Sequence, residues 1–142
     1  THPTPDTLIT VADKLRYYRF THELLQKDVA QIVHIDRATY ANYEDDSRIS
    51  YDIEVMKRIA EYYKIPVTNL LDDYNLFLYE QPGLKLKTLR KSYHITQKTL
   101  SEFMNVQRNT IMRWEKGYQT MSFETYHLLF KTDFIKSHLN SI

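Results

Sequence analysis

An all-α fold of two small helical domains in tandem is what this sequence predicts, and three observations predict it. The first is an internal repeat: shifted by 71 residues, the chain superimposes on itself without a gap. Leu15 falls on Leu86, Arg19 on Arg90, Gln26 on Gln97, Lys27 on Lys98, Val29 on Leu100, Ala30 on Ser101, Val33 on Met104, Ile35 on Val106 and Arg37 on Arg108. Thr39 meets Thr110, Tyr43 meets Trp114 and Glu44 meets Glu115. Two copies are too few for a solenoid, so the repeat reads as a duplicated domain. The second observation is composition. Only two Gly and four Pro stand among 142 residues, which favours helices over a β-sandwich. The third is apolar spacing at helical period within each copy.

The elements follow in order. Thr10 with Asp13 three residues on resembles a capping box and opens a helix reaching about Phe20. A short helix is expected at 26–33, then a tight connection through His34, Ile35 and Asp36, with Asp36 as N-cap of a third helix over 37–45. Ser50 is placed to cap a fourth, with Ile53, Met56, Ile59, Ala60 and Tyr63 as its buried stripe. Pro66 suits the start of a fifth, turning Val67, Leu70 and Leu71 inward. In the second copy, helices are expected at 84–93, 97–104, 108–116 and 123–131, with a short one around Phe134, Ile135 and Leu139. The first domain is therefore set at 1–75 and the second at 84–142, joined by an apolar connector at 76–83. The stretch from Tyr74 to Tyr79 is too apolar to be solvated and is expected to pack on a domain or on a second copy. Gln81-Pro82-Gly83 is the expected break.

Charge is distributed unevenly. Residues 1–82 hold nine Lys and Arg against fourteen Asp and Glu, a net of −5; residues 83–142 hold ten against four, a net of +6. A polyanion is drawn to the second half and repelled by the first.

Two short helices joined by a tight turn form a helix-turn-helix, whose second helix can enter the major groove. The run Gln26-Lys27-Asp28-Val29-Ala30, followed by Val33-His34-Ile35-Asp36-Arg37-Ala38-Thr39-Tyr40 and Tyr43-Glu44, resembles the Cro/repressor-type or XRE (xenobiotic response element) family. The pattern returns from Thr96 through Gln97, Leu100, Ser101, Met104, Asn105, Val106, Arg108 and Ile111 to Trp114-Glu115-Lys116-Gly117. The resemblance implies that Val29, Val33, Ile35, Tyr40 and Tyr43 are core, with Leu100, Met104, Val106, Ile111 and Trp114 as their counterparts. It implies ion pairs Arg19–Glu44 and Arg90–Glu115 tying the first helix of each domain to the third, and phosphate contacts by Gln26 and Gln97. His34 and Asn105 stand where the family has Gly. Leu25 replaces the better cap Thr96, and Asp45-Asp46 replaces the turn kept in kind as Lys116-Gly117.

At about 100° per residue, positions 1, 2, 5, 6 and 9 of each recognition helix share one face. In the first domain these are Arg37, Ala38, Ala41, Asn42 and Asp45; in the second, Arg108, Asn109, Met112, Arg113 and Lys116. Residues 39, 40 and 43, and 110, 111 and 114, are expected to point inward. Arg can grip guanine and Asn adenine with two hydrogen bonds each, and Met can contact a thymine methyl. Arg108, Asn109, Met112 and Arg113, with Arg37, Ala38, Ala41 and Asn42, are therefore the candidate base contacts. Gln26, Gln97, Lys98, Lys116, Arg48 and Lys27 are the candidate phosphate contacts, and the second domain is expected to read DNA better.

Other classes fit less well. The six His are scattered, and His22-Glu23 lacks the second His of a zinc-peptidase helix. Neither a phosphate-cradling Gly loop nor a nucleophile elbow occurs, so no enzyme, cofactor or metal is expected. The absence of Cys and of any apolar run near 18 residues fits a cytoplasmic chain outside the membrane. The expected function is a sequence-specific transcriptional regulator that binds double-stranded DNA, a repressor of phage or mobile-element type, using one or both recognition helices. The alternative is an antitoxin-like protein in which only the second domain binds DNA. The first domain and residues 74–79 then serve a homodimer or a protein partner.

Overall fold

The computed structural model describes residues 7–142, so the first six residues of the domain expected at 1–75 lie outside the described residues. Among the described residues the fold is all-α, with ten α-helices and no strand. The chain divides into two compact units, one ending at Leu76 and the other running from Phe77 to Ile142.

In the first unit, α1 (Val11–Thr21) opens where the Thr10 hydroxyl accepts the Asp13 N–H at 3.0 Å. The Asp13 carboxylate does not complete a capping box; it pairs with Arg16 instead. Helix α2 (Gln26–Ile32) has no side-chain acceptor at Leu25, and the Asp28 carboxylate compensates by accepting the Leu25 N–H at 2.8 Å. Helix α3 covers Arg37–Tyr43, with Asp36 at the N-cap position but making no side-chain bond there. The fourth helix, α4 (Ile53–Tyr63), starts later than Ser50 predicts, because the Asp52 carboxylate accepts from the N–H groups of Glu54 and Val55. Its buried face is Val55, Met56, Ile59, Ala60 and Tyr63, and Ile53 is only half-buried. After Pro66 the expected fifth helix is a single 3-10 turn, Val67–Leu70, which still buries Leu70. Leu15, Val33, Tyr40, Met56, Ile59 and Leu70 form the centre of this core.

Residues 74–79 are helical: α5 runs from Asp73 to Tyr79. Asn75 is buried, and its amide donates to the carbonyl of Ile49 and to Asp72. Phe77, counted in the second unit, lies 4.7 Å from the Tyr126 ring and 4.8 Å from Phe130. The second unit continues with α6 (Pro82–Ser92), α7 (Gln97–Met104), α8 (Arg108–Lys116), α9 (Phe123–Lys131) and α10 (Phe134–Asn140). Thr96 and Ser122 cap α7 and α9 through their hydroxyls. Leu86, Leu100, Ile111, Met121, Leu129 and Ile135 are buried.

The expected break at Gln81-Pro82-Gly83 is only partly a break. Gln81 takes a left-handed conformation, but Pro82 and Gly83 already belong to the first turn of α6. Gly83 is buried because α6 and α8 touch there. A Cβ at this position would stand 2.2 Å from the Glu115 carbonyl oxygen and 2.8 Å from that of Trp114.

Candidate nucleic-acid interface

Each unit holds its third helix by the same device. The turn before it reverses the chain through a left-handed residue, His34 (φ 62°) in one unit and Asn105 (φ 56°) in the other. The N–H of Ile35 then bonds the carbonyl of Ala30, and that of Val106 bonds the carbonyl of Ser101, both at 3.0 Å. This six-to-one bond closes a helix C-terminus and aims the next helix away from it. Buried Ala30 and Ser101 leave room for that approach.

Beneath the third helix lies a buried, two-pronged ion pair. Arg19 Nε and Nη2 donate to Glu44 at 2.8 and 2.9 Å, and Arg19 Nη1 donates to the Leu24 carbonyl. In the second unit, Arg90 Nε and Nη2 donate to Glu115 at 2.7 and 3.0 Å, and Nη1 donates to the Ile95 carbonyl. Gln26 and Gln97 each add an Nε2 bond of 3.2 Å to the same glutamate. Both glutamines are thereby fixed at the first residue of α2 and α7, half-exposed at the mouth of the site.

Burial alone would push the Glu44 carboxyl up; its polar neighbours, the Arg19 guanidinium above all, outweigh that and hold it below the usual glutamate range. A carboxyl lowered in the folded state contributes stability that is full above its unfolded pKa, about 4.3, and is lost as pH falls through the folded one. The thermal midpoint of the first unit is therefore expected to fall as the pH is lowered from 5 toward 3. A midpoint that holds steady over that range would contradict this reading of Glu44.

The ridges themselves differ. In the second unit Arg108, Asn109, Arg113 and Lys116 are exposed and Met112 is half-exposed, over buried Ile111 and Trp114. Arg108 Nη1 donates to Gln97 Oε1 at 3.4 Å, while the side chains of Arg113 and Lys116 form no hydrogen bond or ion pair among the described residues. Gly117, left-handed at φ 78°, ends the helix. In the first unit Arg37, Ala38, Asn42 and Asp45 are exposed and Ala41 half-exposed. Thr39 is exposed as well, because it sits in the first turn of α3 where the helix has not yet met the core; the inward side is Tyr40 and Tyr43.

Two neighbours restrain the first ridge. Arg48 donates to Asn42 Oδ1 at 2.6 Å and to the Ser50 carbonyl at 2.8 Å, and its guanidinium lies 4.3 Å from the Tyr43 ring centre. Arg16 bonds Asp46 and the Glu44 carbonyl, and Asp45 is held by the N–H and hydroxyl of Ser47. Lys27 and Arg37 border an open cavity of about 420 Å³ with Arg19, Leu25 and Gln26. Lys98 is exposed at the matching place in the second unit.

Sequence reasoning missed Tyr118, which is 74% exposed just beyond Gly117. Its signal was an aromatic directly after a Gly helix terminator, with no apolar stripe to join. It also missed Arg16, since an acidic residue three positions before a cation is too common to single out.

Compared with known proteins, residues 4–76 match a family model described as a helix-turn-helix domain, and residues 86–132 match one described as helix-turn-helix. No curated protein and no solved structure matches the chain. No described helix is long and apolar enough to cross a membrane.

Proposed function

We propose that this chain, which belongs to the helix-turn-helix family and is a DNA-binding regulator, reads the major groove of a specific duplex chiefly through α8. One observation carries the reading: α8 presents two guanidinium groups, an amide and an ammonium on one exposed face with no carboxylate among them. Arg108 and Arg113 are assigned to guanine edges, Asn109 to adenine and Met112 to a thymine methyl. Gln97, Lys98 and Lys116 are assigned to phosphates, where they set register without reading sequence.

The first unit supports a weaker role on DNA. Arg37, Ala38, Ala41 and Asn42 offer one guanidinium and one amide, and the amide oxygen is already taken by Arg48. Asp45 beside them repels phosphate. Gln26 and Lys27 remain suitable phosphate contacts; Arg48, stacked on Tyr43, is a poorer one. Occupancy of an operator, and so repression of the phage or mobile-element type, is the regulatory mode that the likeness to Cro/repressor-type proteins favours. The two helix-turn-helix matches favour a regulator over an enzyme.

In a gel-shift titration with a duplex selected from a random pool, Arg113→Ala is expected to weaken specific binding by about 1–3 kcal/mol, and Asn42→Ala by less. Equal or reversed losses would refute the ranking of the two ridges. The salt slope should follow the number of phosphates neutralised, so it belongs in the same experiment.

A further inference from the structure

We infer that the exposed ridge on α3 is a self-complementary contact for a second copy of this chain, packed antiparallel about Ala41, with Arg37 of each copy opposite Asp45 of the other. The inference goes beyond the DNA reading proposed above and needs no DNA.

The ridge is dipolar in a way that its counterpart is not. Arg37 stands at one end, with exposed Lys27 beside the same cavity, and neither side chain makes an ion pair or hydrogen bond among the described residues. At the other end the exposed Asp45 carboxylate is pinned in place by two 2.8 Å bonds from Ser47. Arg37 is the first residue of α3 and Asp45 stands two residues beyond its last, Tyr43, with Ala41 between the two charges. A twofold axis at Ala41 therefore brings each Arg37 to the other copy's Asp45, as an isologous contact requires. Between the charges the ridge is Ala38, Ala41 and Asn42, short enough for two helices to approach closely.

Apolar surface repeats the same symmetry. Exposed Leu25 borders the Arg37 end, and exposed Ile49 follows the Asp45 end in the loop beyond α3. The antiparallel arrangement sets these two ends together as well. The second ridge has no such option, since Arg108, Arg113 and Lys116 carry one sign and would repel their own copies. Other charges temper the attraction: Asp36 adjoins Arg37, Arg48 is held at Asn42, and Arg16 partly neutralises Asp46. With so small a patch the contact is weak, in the class of transient interfaces, and its register is set by charge.

Sedimentation equilibrium of the full chain without DNA, from about 1 to 300 μM to span that class, tests this. Self-association is expected, weakened about tenfold or more by Arg37→Asp or by Asp45→Lys alone, and returned to within about threefold of the parent by the double exchange. Ala38→Trp, which alters no charge, is expected to weaken it too. Arg113→Ala is expected to leave association intact while impairing DNA binding, so failure of this inference and failure of the DNA reading give different results. A chain monomeric throughout, single reversals without effect, a double exchange no better than its parents, or association lost in Arg113→Ala would each overturn it. Melting curves of each variant establish that the units remain folded.

Discussion

Replacing Gly83 with alanine is expected to destabilise the second unit by about 3 kcal/mol or more, the upper end of what overpacking costs. The added methyl would stand 2.2 Å from the Glu115 carbonyl oxygen and 2.8 Å from the Glu115 carbonyl carbon. These are backbone atoms of α8, and neither can turn aside as a side-chain tip would. Either α6 shifts off α8 or α8 moves with it. Gly117→Ala is the contrasting substitution. Nothing lies within 4 Å of a Cβ there, but the backbone is left-handed at φ 78°, so the cost is conformational, about 1 kcal/mol. The same residue type is thus required for space at one position and for backbone freedom at the other. Trp114 is the only Trp in the chain and its carbonyl borders Gly83. Its fluorescence therefore follows unfolding of this unit alone. Equal shifts of the Trp-detected transition in the two variants would show that α6 and α8 do not approach as closely as described.

That pair of glycines also shows how far the sequence could be read. The helix periods and the 71-residue offset were legible because each rests on spacing along one chain, and the ion-pair positions came with the likeness to Cro/repressor-type proteins. Gly83 was legible only as punctuation: Gln-Pro-Gly has the composition of a turn, and its packing role depends on a helix about thirty residues away. The same limit explains Asp52. Ser50 and Asp52 are both good caps, and the choice between them is made by where α4 meets the core, with Val55 rather than Ile53 turned inward. Thr39 was assigned inward by helical angle, but α3 has only seven residues and its first turn lies outside the packed layer. At the site, residue types and faces could be read, whereas partners could not. The clamp of Arg48 on Asn42 joins residues six apart across the end of a helix, a distance at which no periodic pattern operates. That clamp, with the Ser47 hold on Asp45, is what distinguishes the exposed face of α3 from that of α8, and no spacing in the sequence announced it. Four of the left-handed residues, Glu23, His34, His94 and Asn105, fall in two pairs 71 apart, and none of these four is Gly. The backbone repeat is therefore stricter than the residue repeat, and turn chemistry alone would have missed two of them.

Removing the carboxylate beneath α3 is the other large effect. Glu44→Ala is expected to cost the first unit about 3–5 kcal/mol, the range for breaking a buried pair by deleting one partner. The cost does not measure how much the pair stabilises the native fold. The Arg19 side chain is 10% exposed and the Glu44 side chain 2%, so the pair loses much of its hydration on folding. What the substitution leaves is a guanidinium with one remaining bond, to the Leu24 carbonyl, and no counter-charge in a poorly polarisable site. The Gln26 amide loses its acceptor at the same time, so the start of α2 is loosened with α3. Replacing Arg19 and Glu44 together by Met and Leu should recover much of the loss, because a well-packed apolar pair carries no unpaired charge. Circular dichroism melts should show the first unit's transition falling steeply in Glu44→Ala, while the Trp114-detected transition stays in place. A single-variant loss below about 1 kcal/mol, typical of an exposed pair, would mean that water reaches Arg19 and that the scaffold under this helix is held by packing alone.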